Sequence, residues 1–584
     1  MTTEQAIDQS GIRYQADESP PRFLAIGLGL QLAIVCIAGV VLTPSIVINA
    51  AGEGDPYLTW AVFAAVLICG ITTIIQAVRV GRIGAGYVLL MGTSGAFIAV
   101  CITAIVEGGP AMLAVLVVIS ACFQFLLSAR LALFRRILTQ TVAGTVIMLI
   151  AVTVMPIIFD MFQDVPEGSA IEAGAVTASI TVAVIVAVAL KATGALRLWA
   201  PVIGVIAGSV VGGFYGLYDF GRIADAAWIG IPTTGWPGFD LEFGATFWTL
   251  LPAFVFVTLV GAIETIGDAV AIQKVSWRTR RAVDYQSVQG AVAADGLGNL
   301  LSGLVGTVPN TTYSTSVSVT ELTGVGSRTV GVWIGVVFIA LAFLPKALAT
   351  IVAIPQPVAG GYLIVLLCML FIVGMKIVIQ DGITYQKGLI AGIAFWVGVG
   401  FQNNAIFPEL LTGFAGGILQ NGMTAGGLTA VVLTLFMELK LTRRSKIETD
   451  LHVKSLPALQ DFIGGFARRS RLDDTMLFRL ETAVEETVLT LIGDGEKAQQ
   501  KRRLLLVARR DGNEAVLELV ASASAGNLED QISLLSDQPA ESAIENEVSL
   551  RVLRHISSSV HHQRYHTTDV VTVHVRAPSA RQAS

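Results

Sequence analysis

Histidine is missing from the first 440 residues of this chain; all six histidines lie beyond that point. A side chain that carries a proton within that long stretch must therefore be a carboxylate, or must act through water that a carboxylate holds. Cysteine is sparse as well. Cys36, Cys69, Cys101, Cys122 and Cys368 are scattered through apolar segments with no CxxC pair, which argues against a disulfide framework or a zinc site. Charge is scarce: 14% of the 584 residues are charged and 54% are hydrophobic, whereas soluble domains carry about a quarter charged residues. A net charge of −5 gives no footing for a nucleic-acid partner. Residues 1–22 are polar and include Asp8, Asp17 and Glu18, so no secretory leader is evident and the first apolar run is expected to stay as a span.

What the chain has in quantity is apolar length. A helical crossing needs about 20 residues, with a wide tolerance. Fourteen runs fit: 23–47, 57–78, 86–107, 110–128, 138–160, 170–190, 199–217, 246–271, 284–304, 311–322, 327–352, 357–379, 386–403 and 422–440. The semi-polar stretch 405–419 reads as a re-entrant piece. With the N-terminus inside, Arg79, Arg82, Arg130, Arg135, Arg136, Lys191, Arg197, Lys274, Arg278, Arg280, Arg281, Arg328, Lys376 and Lys387 fall on the cytoplasmic side. The opposite loops hold Arg222, Lys346 and acids such as Glu53, Asp55, Glu107, Asp160, Asp164 and Glu167. That asymmetry places both termini in the cytoplasm, as expected for a multi-pass protein of a bacterial inner membrane. The expected division is a cytoplasmic tail at 1–22, a membrane domain at 23–440, a linker at 441–455, a cytoplasmic α/β domain at 456–578 and a disordered tail at 579–584.

Ionisable groups inside spans are costly and are functional by default. Three stand out: Glu264 and Asp268 in VFVTLVGAIETIGDAVAI, and Asp295 in AVAADGLGNLLSGLVG. Glu264 and Asp268 are four apart and share a helix face, where joint ionisation is disfavoured. That suits proton coupling. The alternative is that these acids hold helices together by hydrogen bonds. Two segments do not read as clean helices: GYVLLMGTSGAFIAV (86–100) and GTVPNTTYSTSVSVTELTG (306–324), rich in Gly, Ser and Thr, the second with Pro309. They are the third and tenth runs, each third in its half of seven. Interrupted segments at matching places in two halves point to the binding site of an inverted-repeat transporter; ordinary small-residue helix packing is the alternative.

The run PNTTYSTSVSVTELTGVGSR, with ETIGD, ADGLGNLLSGLVG and GYVLLMGTS, resembles the nucleobase–ascorbate transporters, which include the uracil and xanthine permeases. The similarity covers about residues 20–440. It implies a fold of fourteen spans in a seven-plus-seven inverted repeat, all α apart from short paired strands in spans 3 and 10. A core would hold spans 1–4 and 8–11, and a gate spans 5–7 and 12–14. The resemblance further implies a nucleobase-like substrate held between the strands and span 8 by Glu264, with Thr93, Ser94, Gly95, Tyr313, Thr315 and Ser316 around it. Asp268, Glu264 and Asp295 would serve proton coupling, with sodium as a substitute ion. Pro309, Thr312, Ser314, Ser318 and Thr323 complete the motif. Where such transporters carry an amide or carboxylate pair, this chain has Thr315, Ser316, Val317 and Ser318, and Gly95 stands where an aromatic is expected. A homodimer through the gates is implied, in contact with membrane lipid, with no cofactor and no metal.

Past residue 440, LDDTMLFRLETAVEETVLTLIGDG has helical spacing, and RRLLLVARR and EAVLELVAS flank Asp511-Gly512-Asn513 as a hairpin. A helix at 541–563 and the strand DVVTVHVRA complete an α/β sandwich. RLETAVEETVLTLI resembles the first motif of histidine-kinase-like ATPases of the anti-sigma-factor type. Thr490 stands where that motif has Asn, four residues after Glu486, and the glycine-rich boxes are absent, so a non-catalytic domain that binds a regulatory protein partner or tunes transport is implied. His561, His562 and His566 read as a solvated helix end rather than a metal site. Rival functions are an anion exchanger of the sulfate-transporter kind, an enzyme acting through the tail, and a substrate sensor signalling through it.

Overall fold

The structure, a computed structural model, describes residues 11–131, 139–279, 281–380, 384–403, 405–407, 409, 419, 422–440, 445–492, 502–511, 514–522, 544–566 and 568–576. Two compact units emerge: Met1–Thr279 with Ser287–Phe436, and Arg280–Gln286 with Met437–Ser584.

The first unit is helical. It opens with α1 (Arg22–Ala50) and α2 (Asp55–Val78), the latter starting on Asp55 and Pro56, residues suited to a helix N-terminus. Beyond Arg79 the chain does not continue as helix. It turns back through Gly84, at φ 101°, and runs extended into β1 (Met91–Thr93). Helix α3 (Ile98–Ala129) follows and is broken at Gly109 (φ 79°) and Pro110. The third and fourth expected spans are therefore a strand-led half-helix and the limb beyond this break. Then come α4 (Gln140–Thr153), α5 (Met155–Gln163), α6 (Ala173–Lys191), α7 (Ala200–Phe214), α8 (Ala245–Val275) and α9 (Tyr285–Val305). The second interrupted segment gives β2 (Asn310–Thr312) and α10 (Thr315–Thr323). Next are α11 (Arg328–Ala342) and α12 (Pro345–Val352), bent by 87° at Pro345, then α13 (Gln356–Gln380), α14 (Tyr385–Gln402) and α15 (Gly422–Lys440).

Among the described residues seven helices are long and apolar enough to cross a membrane, or eight if the bent pair counts as one span. The remaining expected spans correspond to shorter or more polar pieces, such as α7, α9, α14 and the β2–α10 segment. The expected re-entrant piece at 405–419 lies almost wholly outside the described residues. A large apolar core, with Phe97, Phe247, Phe254 and Phe338 fully buried, joins α1–α4, α8 and α11–α13.

Part of the expected N-terminal tail is ordered. The amides of Arg13 and Tyr14 donate to Gly324 O (2.7 and 3.1 Å), and Gly326 N donates to Tyr14 O (2.8 Å). Arg278, just past α8, clasps Glu18 through two N–H···O bonds of 2.6 and 2.7 Å and donates to Ile12 O and Arg13 O. Residues 12–18 thus strap the end of α8 to the turn between α10 and α11.

The second unit holds a five-stranded antiparallel sheet in the order β3-β4-β5-β7-β6: β3 (Ser445–Asp450), β4 (Arg503–Asp511), β5 (Glu514–Ser522), β6 (Ser559–Arg564) and β7 (Thr568–Arg576). Helices α16 (Leu456–Ser470), α17 (Asp474–Ile492) and α18 (Ile544–Ile556) go with it. Alternate residues Leu504 and Leu506, Leu517 and Leu519, and Val571 and Val573 meet Leu459, Phe466, Leu480 and Val484 of the helices. Two expectations need correction. The stretch expected as linker contains β3, whose six residues pair with β4, so the sheet starts at 445. The helix expected at 541–563 ends at Ile556, and His561 and His562 lie in β6 instead of at a helix end; His562 is buried 3.5 Å from Asp569. The turn residues Gly512 and Asn513 and the tail 579–584 lie outside the described residues.

Candidate functional site

β1 and β2 come from the two interrupted segments and pair antiparallel, Met91 opposite Thr312, Gly92 opposite Thr311 and Thr93 opposite Asn310. Gly, Ser and Thr recur in both segments and Pro309 adds to the second, and these are poor helix formers. Their backbone groups still need partners at membrane depth. The pairing supplies them, extended by Ser94 N to Pro309 O (2.9 Å) and Tyr313 N to Leu90 O (2.8 Å). In each half a strand leads straight into a helix, α3 or α10.

Helix α8 lies against this pair. The hydroxyls of Thr312 and Ser314 donate to the two oxygens of Asp268, at 2.7 and 2.6 Å. One turn before Asp268 stands Glu264. On the same face, a Cβ at Gly261 would touch Phe97 and Thr311 (3.9 Å each), while beyond Gly267, which is exposed, there is open space. Glu264 is half-buried, between the packed and the open side of α8, and has no hydrogen-bond partner among the described residues. The two acids that share a face have different settings: Asp268 is held by both oxygens, and Glu264 is free to accept from a ligand.

Asp295, fully buried on α9, sits behind α8. Its Oδ2 accepts from Thr265 Oγ1 (2.8 Å) and from Gln124 Nε2 of α3 (2.7 Å). Gln124 Oε1 accepts from Asn299 Nδ2 (2.8 Å), and Asn299 Oδ1 accepts from the backbone N–H of Asn310 (2.7 Å). Gly298 is required beside it, because a Cβ there would overlap the Asn310 amide.

The other expected site residues divide into two groups. Thr93, Tyr313 and Ser316 have hydroxyls committed to the scaffold. Thr93 donates to Gly39 O (3.1 Å), Tyr313 donates to Thr93 O (2.9 Å), and Ser316 donates to Tyr313 O (2.9 Å) while accepting from Leu90 N (2.8 Å). The Tyr313 ring lies over Gly92, where a Cβ would overlap it. Ser94 is buried, and its hydroxyl has no partner among the described residues. Gly95 is half-buried, with Leu366 Cδ2 of α13 3.4 Å from where its Cβ would be, so its neighbour there is aliphatic. Thr315 is half-buried, Ser318 is exposed, and Pro309 is buried. Thr323 turns back to Val319 O (2.8 Å). Sequence reasoning missed Thr265, Gln124, Asn299 and Leu366. The signal for Gln124 was available: it is a lone amide in an otherwise apolar run.

The family model described as Permease family (Xan_ur_permease) matches residues 24–407. The xanthine permease XanP of Escherichia coli is 27% identical over 444 residues, which cover 73% of this chain and 94% of that protein. The uric acid permease PucK of Bacillus subtilis is 28% identical over 436 residues, 72% of this chain and 97% of that one. A solved structure of the murine anion transporter Slc26a9 matches with a TM-score of 0.50 at 11% identity, covering 74% of this chain and 71% of that chain, which is a likeness of fold.

Proposed function

The chain belongs to the Permease family, whose members are transporters and not enzymes, and from that premise we propose that it moves a nucleobase or purine-related molecule of the uracil, xanthine or urate class across the inner membrane in symport with protons. One observation supports this reading: Glu264 has no hydrogen-bond partner among the described residues and stands one helical turn from Asp268, which accepts from Thr312 and Ser314 at the paired strands. A carboxylate accepts hydrogen bonds from ring N–H groups, and the hydroxyls of Ser94 and Thr315 add short donors. Polar groups placed this way discriminate strongly against a ring that lacks the matching N–H. Leu366 above Gly95 makes the wall there aliphatic. Asp268 and Asp295 serve coupling by exchanging a proton as the strands move. A free acid at the site disfavours the rival anion exchanger, whose site would favour basic groups or bare helix ends.

In this proposal the fourteen spans form a core and a gate in an inverted repeat, the termini are cytoplasmic, and the protein is a homodimer through its gates. The second unit is a non-catalytic regulatory domain. In support, the hydroxyl of Thr490 is turned back onto Glu486 O (2.7 Å) inside its own helix, away from any metal–nucleotide role.

The test is uptake of labelled xanthine, urate, hypoxanthine and uracil into cells, with and without an uncoupler. At least one substrate should accumulate and the uncoupler should stop it. Glu264→Gln should abolish uptake at unchanged membrane abundance; normal uptake by that variant removes the proposal.

A further inference from the structure

The polar chain behind the site has a direction. The backbone N–H of Asn310, first residue of β2, can only donate, so the group it meets on Asn299 is the carbonyl Oδ1. The Asn299 amide nitrogen then faces Gln124 Oε1, and the Gln124 amide nitrogen faces Asp295 Oδ2. Thr265, next to Glu264, donates to that same Oδ2. Two donors occupy both lone pairs of Oδ2, so a proton taken up by Asp295 must sit on Oδ1, which is buried and has no partner among the described residues.

We propose that Gln124 is a positioning residue that ties the charge on Asp295 to the place of β2, and so to the ligand site. This inference rests on the reading of the chain as a nucleobase carrier. With Asp295 ionised, the Gln124 bond is charge-assisted, and the relay through Asn299 holds the β2 amide tightly. A proton on Oδ1 removes that assistance, the relay slackens, and β2 can shift with its Thr312–Asp268 contact. The relay spans α3, α9 and β2, so it transmits the change across three elements that are distant in sequence. The ionisable groups that act on Asp295 are Asp268 and, through its mutual repulsion with Asp295, Glu264, both on α8.

Gln124→Glu tests this. A neutral carboxyl group has the amide's pattern: its carbonyl accepts from Asn299 and its hydroxyl donates to Asp295. An ionised one cannot donate and opposes Asp295. Gln124→Leu breaks the relay at every pH. Counterflow of labelled xanthine in proteoliposomes, with equal pH on both sides, removes the proton gradient from the comparison. The ratio of Gln124→Glu to wild-type exchange should approach one at about pH 5 and fall roughly tenfold by about pH 8, as the introduced carboxyl ionises. Gln124→Leu should be slow throughout. A ratio that does not change with pH, or wild-type exchange by Gln124→Leu, overturns the proposal. If the wild-type protein exchanges none of the nucleobases, the carrier reading fails, and the relay is then judged by melting of the purified proteins. Gln124→Glu should melt with wild type at the acid end and below it at the alkaline end; a gap that is constant with pH refutes the relay.

Discussion

At the scale of single residues, the site depends on what a side chain is already bonded to. Thr93, Tyr313 and Ser316 carry hydroxyls that would suit a ligand, but each is spent on backbone, that of α1 for Thr93 and that of the strand segments for the other two, since an unmet carbonyl or N–H at membrane depth costs several kcal/mol. Glu264 is not spent, and that distinguishes it from Asp268. Gly92 shows the same economy of space: the Tyr313 ring lies where its Cβ would be. Gly92→Ala should therefore force the ring off the strand pair and lower stability by about 1–3 kcal/mol, as overpacking does. The melting temperature of the purified protein checks this; an unchanged value means that the ring is free to move. Tyr313→Phe keeps the ring and loses only the bond to Thr93 O, a cost of about 1 kcal/mol.

At the scale of elements, the pairing of β1 with β2 joins two breaks more than 200 residues apart, and α8 reads both. The strap of residues 12–18 secures the far end of α8 to the turn after α10. The hydrogen bonds from Arg278 hold the Glu18 carboxyl below its usual range, and Glu18 in turn raises Arg278. A carboxylate lowered on folding contributes stability above its unfolded value, near pH 4, and loses it as pH falls through the lower folded value. The strap should hold at neutral pH and loosen only in acid. Because the pair is exposed, salt should weaken it as well. Hydrogen exchange at Gly326 and Arg328, corrected for intrinsic rates, reads this: Arg278→Gln should expose both amides at neutral pH. Equal protection in wild type and variant would show that the backbone bonds alone hold the strap.

At the scale of the whole molecule, two units have separate apolar cores, one around the helices of the first and one between sheet and helices in the second. A fragment of residues 445–584 should fold by itself and unfold cooperatively in urea. A fragment starting at 456 lacks β3 and leaves β4 as an unpaired edge, so its midpoint should be lower. Circular dichroism across a urea series decides both; equal midpoints would make β3 dispensable.

Much of the architecture was legible in the sequence because it is written in local chemistry. Apolar length marked the crossings, Gly, Ser and Thr marked the two breaks, with Pro309 in the second, and the charge shift after 440 marked the second unit. Glu264, Asp268 and Asp295 stood out because an acid in an apolar run is conspicuous without any neighbour. The strand at 445–450 escaped notice because its half-buried pattern on a sheet edge is weakly apolar, and β6 was hidden in a continuation of helical periodicity. Tertiary structure alone decided which hydroxyls remain free, and that Gln124, 171 positions before Asp295, donates to its carboxylate. Hydrophobic burial acts along short stretches and so leaves its trace in composition, whereas a hydrogen bond between distant residues exists only once packing has brought donor and acceptor into line.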